Sequence, residues 1–135
     1  MALNIKLKAH EVIIINGCIA RNGPRRTSLK IENFANVIRE SDLIARDQVR
    51  SPVSAIYYAV QSIITNPSIA EKSLKEVQGT LAKLHGLLPE DGARAAVMEA
   101  ANHISAFNFY QALNAIKSLM EREQELFPES FSEKN

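Results

Sequence analysis

The hydrophobic period of this chain changes once, at Ser51-Pro52, and the change limits what the chain can fold into. Before it, apolar and polar residues alternate. Leu3, Ile5 and Leu7 are spaced by Asn4 and Lys6, while Thr27, Leu29 and Ile31 are spaced by Ser28 and Lys30. A period of two marks a strand with one buried face. After it, Ile56, Val60, Ile63 and Ile64 fall on one face of a helix, and Leu74, Val77, Leu81, Leu84 and Leu88 step by three and four. Strands followed by helices, in separate blocks, predict an α+β fold: a small N-terminal antiparallel β-sheet followed by a C-terminal α-helical unit. The expected boundaries are a small basic β-sheet domain over 1–50, a helical domain over 51–127 and a polar tail over 128–135. A chain of 135 residues can bury a core of its own without staples.

Five short strands fit the first block. Glu11 to Ile15 is a dense β-branched run closed by Asn16-Gly17, the pair that best supplies the two positive φ angles of a type I′ hairpin turn. Cys18 to Arg21 returns from it, Asn22-Gly23-Pro24 makes the next turn, and Ala35 to Arg39 gives the last strand. Val12 to Ile15 carries no polar alternation, so both its faces need cover. The helices can supply this, or a second copy in a homodimer.

In the second block, Ser51 is placed to cap a helix with Pro52 at its first position, and Asn66-Pro67 ends that helix. Ser68 to Glu71 has capping-box spacing, and Gly86 is positioned as a C-terminal stop. Glu90-Asp91 suits a helix N-terminus. The stretch from Ala93 to Phe127 is too long for one helix, and a break near Ser105 to Asn108 divides it.

Several classes of function find no support. The single cysteine, Cys18, leaves no internal disulfide and fits a reducing, cytoplasmic setting. On a strand beside a hairpin it reads as a small buried apolar residue rather than a nucleophile. No apolar run approaches the ~18 residues of a membrane span. His10, His85 and His103 are scattered, without partners at ligand spacing, and read as structural; no phosphate loop or nucleophile elbow occurs. The expectation is no enzyme, no metal and no cofactor. Glu121, Glu123 and Glu125 read as a solvated helix face.

Charge is the remaining signal. Met1 to Val53 holds nine basic and five acidic residues, a net +4, against −3 for the rest. Arg21, Arg25 and Arg26 cluster at the second turn, with Lys30 on the outward face of the next strand. Guanidinium forks at an exposed turn suit phosphates. They equally suit a solvated turn that keeps a sheet edge from pairing. Aromatic residues for base stacking are missing from this region apart from Phe34.

The ordered set Leu3-x-Ile5-x-Leu7-Lys8, Glu11 before an apolar run ending Asn16-Gly17, and Arg21-Asn22-Gly23 with Arg25-Arg26 resembles the FlbT family of flagellum biosynthesis repressors. Ala35 to Ile44, Ser51-Pro52 to Tyr58, and Phe109-Tyr110-Gln111-Ala112-Leu113 are similar to later segments of that family. Phe109 and Gln111 depart from its more usual Tyr and Lys. The resemblance runs along nearly all of Met1 to Phe127. It implies a post-transcriptional regulator that associates with the 5′ leader of flagellin messenger RNA and promotes its decay. Val37-Ile38-Arg39-Glu40 also resembles the carbon-storage regulator family, small strand-swapped dimers in which the matching arginine contacts RNA, which adds Arg39 to the candidates. The double arginine that follows the first strand in that family is absent here. The alternative is a protein-binding adaptor or chaperone for flagellin or another flagellar assembly factor or regulatory protein, with RNA effects indirect, working through the Leu74-to-Leu88 stripe or the Phe109-to-Phe127 face. Ordinary core packing is the simpler reading of both stripes.

Overall fold

The alternating strands form two sheets rather than one. In the computed structural model, which describes residues 3–123, β1 (Leu3–Leu7) pairs antiparallel with β4 (Thr27–Ile31). A three-stranded sheet places β2 (Val12–Ile15) between β3 (Cys18–Arg21) and β5 (Val37–Arg39). Both edges of β2 are therefore occupied, which leaves β1 to find β4. The Asn16-Gly17 turn has the expected geometry, with φ of 48° and 84°. At Gly17 a Cβ would also come 2.9 Å from Pro67 Cδ, so this position tolerates no side chain.

The unalternated strand β2 is the wall between two cores. Ile14 faces the helices and packs in the large apolar cluster with Val53, Val60, Ile64 and Leu81. Ile13 points the other way, into a smaller cluster with Ile5, Leu7 and Val37. Both faces are thus covered within one chain.

Among the described residues, four α-helices follow two short 3₁₀ turns: α1 (Pro52–Thr65), α2 (Ala70–Leu87), α3 (Asp91–Ser105) and α4 (Phe109–Glu121). Ser51 Oγ accepts from Ser54 N–H at 3.1 Å, the expected cap of α1. Buried Gln61 grips the linker, with Nε2 donating to Ile44 O at 2.8 Å and Oε1 accepting from Ile44 N–H at 2.9 Å. Tyr57 O–H donates to Asp42 O at 2.5 Å, and burial, with the nearby Asp42 charge, pushes its pKa up to about 12. Val77, Leu81, Leu84, Leu88, Phe109, Leu113 and Ile116 are buried, so the helical stripes are core.

Four local expectations are corrected. The Ser68–Glu71 capping box does not form: a 3₁₀ turn spans Pro67–Ile69, and Ser68 Oγ donates to Asn66 Oδ1 instead. Gly86 stays helical, and α2 ends because Leu88, which precedes Pro89, is extended. Cys18 is exposed, since β3 is an edge strand beyond the reach of the helices. Glu123 is buried rather than solvated, and its Oε2 accepts from Val53 N–H at 3.3 Å, a donor in the first turn of α1 that no helical carbonyl can satisfy. Glu121 is exposed, while Glu125, Phe127 and the polar tail lie outside the described residues.

Candidate nucleic-acid interface

Register decides which charges meet. In the β1–β4 pair Leu3, Ile5, Leu7, Leu29 and Ile31 point inward, so Asn4, Lys6, Ser28 and Lys30 share the outward face. Lys6 lies opposite Ser28 and Asn4 opposite Lys30. Lys6 and Lys30 are therefore diagonal neighbours, with roughly 7–8 Å between comparable positions. At the end where β1 leaves and β4 begins, Lys6, Lys8, Arg26 and Ser28 line an open cleft of about 460 Å³. Four cationic side chains thus occupy one exposed, two-stranded surface. Clustered charge of one sign raises the local concentration of a polyanion.

The turn that carries Arg25 and Arg26 is anchored by Asn22. Its Nδ2 donates to Lys8 O and to Arg25 O, both at 2.8 Å, which fastens the turn to the end of β1. His10 N–H donates to Gly23 O at 2.9 Å and adds a second tie. Arg21 is exposed on β3, and its Nη1 donates to His10 O at 2.9 Å. Arg25 is exposed in the turn.

Arg39 sits differently. Its Nη1 is 2.7 Å from Glu11 Oε2, and its Nη2 donates to Lys6 O at 2.9 Å. Glu11 Oε1 also accepts from Lys8 N–H at 2.9 Å. This clamp ties β5 and the residue before β2 to the end of β1, through the backbone of Lys6 and Lys8. The Lys8 N–H first, and the Arg39 guanidinium second, hold the Glu11 carboxyl below its usual 4.5 against an opposing effect of partial burial. A carboxylate depressed on folding stabilises the fold above its unfolded pKa, and that contribution is lost as pH falls through the folded value. Thermal unfolding of wild type and Glu11→Gln should therefore converge as pH drops below 4.5. A gap that stays constant across the series would contradict the clamp.

Of the sequence candidates, Arg26 and Lys30 join the cationic face, Arg25 lies in the adjoining turn, Arg21 stands on β3 bonded to His10 O, and Arg39 is tied to Glu11 and to the backbone of Lys6. Lys6 and Lys8 belong to the face and are not among the sequence candidates. The alternation of Lys6 and Lys8 with the inward positions Ile5 and Leu7 is visible in the sequence. Their partnership with Lys30 needs the pairing of β1 with the non-adjacent β4. Among the described residues no helix is long and apolar enough to cross a membrane.

The comparisons with known proteins agree in one direction. A family model described as "Flagellar protein FlbT" matches residues 3–127. The chain is 32% identical over 125 residues to a Caulobacter vibrioides protein named flagellum biosynthesis repressor protein FlbT, covering 93% of this chain and 89% of that one. It is 32% identical over 127 residues to a probable flagellum biosynthesis repressor from Rhodopseudomonas palustris, covering 93% and 98% respectively. A third relative, from Agrobacterium fabrum, is 27% identical over 124 residues, with 92% and 83% covered. No solved structure matches the chain. A family match over the whole described length, joined to relatives of this identity and coverage, means that the chain belongs to the FlbT family of flagellar proteins.

Proposed function

We propose that this chain represses flagellum biosynthesis after transcription, by holding the 5′ leader of a flagellin messenger RNA on the outward face of β1 and β4 and promoting its decay. The names of its relatives support a repressor role in flagellar regulation. The observation that carries the RNA reading is the gathering of Lys6, Lys8, Arg26 and Lys30 on one exposed surface, with Arg21 and Arg25 at its margin. Exposed lysine and arginine bind phosphates without regard to sequence, and each contact releases counterions. In this reading Arg39 is a positioning residue, and the chain has no catalytic role.

The test is binding of the purified protein, alone, to a flagellin 5′ leader RNA over a salt series. Affinity should fall steeply with salt, by about 0.7 in log–log slope for each single-stranded phosphate contacted. A flat response, or no binding by folded protein, would remove the reading.

One observation favours a second reading, an adaptor for a flagellar protein. Leu81, Ala82, His85, Val97, Met98 and Ala101 line a groove of about 230 Å³ between α2 and α3, and Met98 is half exposed there. Flexible methionine side chains suit adaptable protein contacts. Binding of flagellin that is lost in Met98→Asp, in a protein that ignores RNA, would favour this reading over the first.

A further inference from the structure

The outer edge of β3 is open to pairing. The two-residue turn at Asn16-Gly17 makes Ile15 and Cys18 a hydrogen-bonded pair, and the alternation of an antiparallel ladder makes Ile13 and Ala20 the next. Cys18 and Ala20 therefore commit their backbone groups to β2, while Ile19 and Arg21 aim theirs away from the sheet. Among the described residues no hydrogen bond uses the backbone N–H or C=O of Ile19 or Arg21. β3 is the last strand on that side.

Its side chains do not protect this edge. Exposed edges ordinarily carry a lysine, a proline, a bulge or a covering loop. The open edge of β4 carries Lys30, and Arg39 reaches the backbone of β1 at Lys6. β3 instead runs Cys18, Ile19, Ala20, and its one charge, Arg21, is drawn back to His10 O. Ile19 lies opposite Ile14 and so shares the face that meets the helices, yet it is 74% exposed because the helices stop short of it. It is the most exposed large apolar side chain among the described residues.

We propose that the β3 edge pairs antiparallel with the β3 edge of a second copy, Ile19 against Ile19, joining two three-stranded sheets into one of six. Open backbone groups of this kind call for another strand, and three features select the same strand. A two-fold axis at Ile19 covers each exposed Ile19 with its counterpart. It also sets the two Arg21 residues four positions out of step, roughly 13 Å apart along the strand, so that like charges do not meet. Arg21 of one copy then faces Gly17 of the other, which has no side chain. Edges that capture a foreign peptide add pockets for its alternate side chains, but the larger clefts of this chain are lined by other elements. The contact joins two four-residue strands and is small against the ~1,200–2,000 Å² of a stable interface, so the dimer forms reversibly and at high concentration. The dyad of an antiparallel pair stands perpendicular to the sheet. Both β1–β4 pairs, which cover the Ile13 and Ala20 face, therefore lie on one side of the joined sheet, and the two cationic surfaces with them. The pairing does not depend on the RNA reading.

Sedimentation equilibrium from about 10 μM to about 1 mM tests the pairing on wild type and Ile19→Lys. Wild type should pass from monomer to dimer across this range. Ile19→Lys, at an exposed position that the fold does not use, should weaken association at least about tenfold, because two ammonium groups would meet at the axis. Disulfide formation tests the register. Cys18 stands opposite Ala20 of the other copy in a non-hydrogen-bonded pair, about 4.5 Å between Cα atoms and within disulfide reach. The two Cys18 residues are diagonal, about 7–8 Å apart and beyond it. Cys18 is the only cysteine of the chain. Ala20→Cys should therefore oxidise to a linked dimer, and wild type and Cys18→Ser/Ala20→Cys should not. A monomer at every concentration would overturn the proposal. So would a dimer that Ile19→Lys leaves intact, or one in which Ala20→Cys links no faster than the two controls. A monomer whose β3 amides shift on addition of flagellin would also overturn it, and give the edge to a foreign strand.

Discussion

Replacing Lys6, Lys8, Arg26 and Lys30 together with alanine should weaken binding to a flagellin leader RNA by roughly 200-fold at about 0.15 M salt and flatten the log–log salt slope by about 3. The estimate counts one phosphate for each side chain, at about 0.7 in slope for a single strand. All four residues are exposed, and the buried face of β1–β4 is formed by Leu3, Ile5, Leu7, Leu29 and Ile31, so the fold should survive. Arg21→Ala and Arg25→Ala should cost less, because these residues stand at the margin of the surface. A quadruple variant that keeps both wild-type affinity and slope would move the RNA site elsewhere. Filter binding or fluorescence anisotropy over the salt series reads both quantities, and circular dichroism checks the fold.

The largest effect on stability should come from β2. Ile13 is 1% exposed and packs with Ile5, Leu7 and Val37, while its neighbour Ile14 packs with the helices. Truncating a buried isoleucine loses its transfer free energy and leaves a cavity, together about 2–5 kcal/mol. Ile13→Ala should therefore lower Tm by roughly 10 °C or more in a domain of this size. Ile19→Ala, on the adjacent edge strand and 74% exposed, should change little. Because Ile13 belongs to the cluster beneath the cationic surface, its loss should also loosen β1 against β5 while the helical core holds. Hydrogen exchange would then rise in β1 and β4 before it rises in α1 or α4. Uniform loss of protection across the chain would contradict the picture of β2 as a wall between two separable cores.

Much of the fold is legible because it is written in local rules. Ser51-Pro52 opens α1, Asn66-Pro67 closes it, Asn16-Gly17 makes its turn, and the break between Ser105 and Asn108 falls at the expected place. Each of these depends on the φ preference or capping chemistry of one or two residues. What the sequence hides depends on tertiary neighbours. Cys18 looks buried because its strand is apolar, yet an edge strand buries only what another layer covers. Glu123 looks solvated among acidic neighbours, but the start of α1 offers it an orphan N–H. Ser68 loses its capping role to a 3₁₀ turn set by Pro67.

The candidate site divides in the same way. Arg26 and Lys30 can be nominated from the arginine turn and the outward side of one strand. Lys6 and Lys8 require the β1–β4 register, which joins segments about twenty residues apart in the chain. Arg39 is a cation in sequence, but the fold commits its guanidinium to Glu11 and to Lys6 O. Tyr110 arrives from α4 onto the inward strand cluster, a contact that no local pattern announces.

The most direct test of the central claim is an amide chemical-shift map of the full chain titrated with a flagellin leader fragment. Shifts should concentrate at residues 4–8 and in the 22–30 segment, while α2 and α3 stay unmoved. Shifts confined to the groove around Leu81 and Met98, or none at saturating RNA, would contradict the proposal that the β1–β4 surface binds RNA.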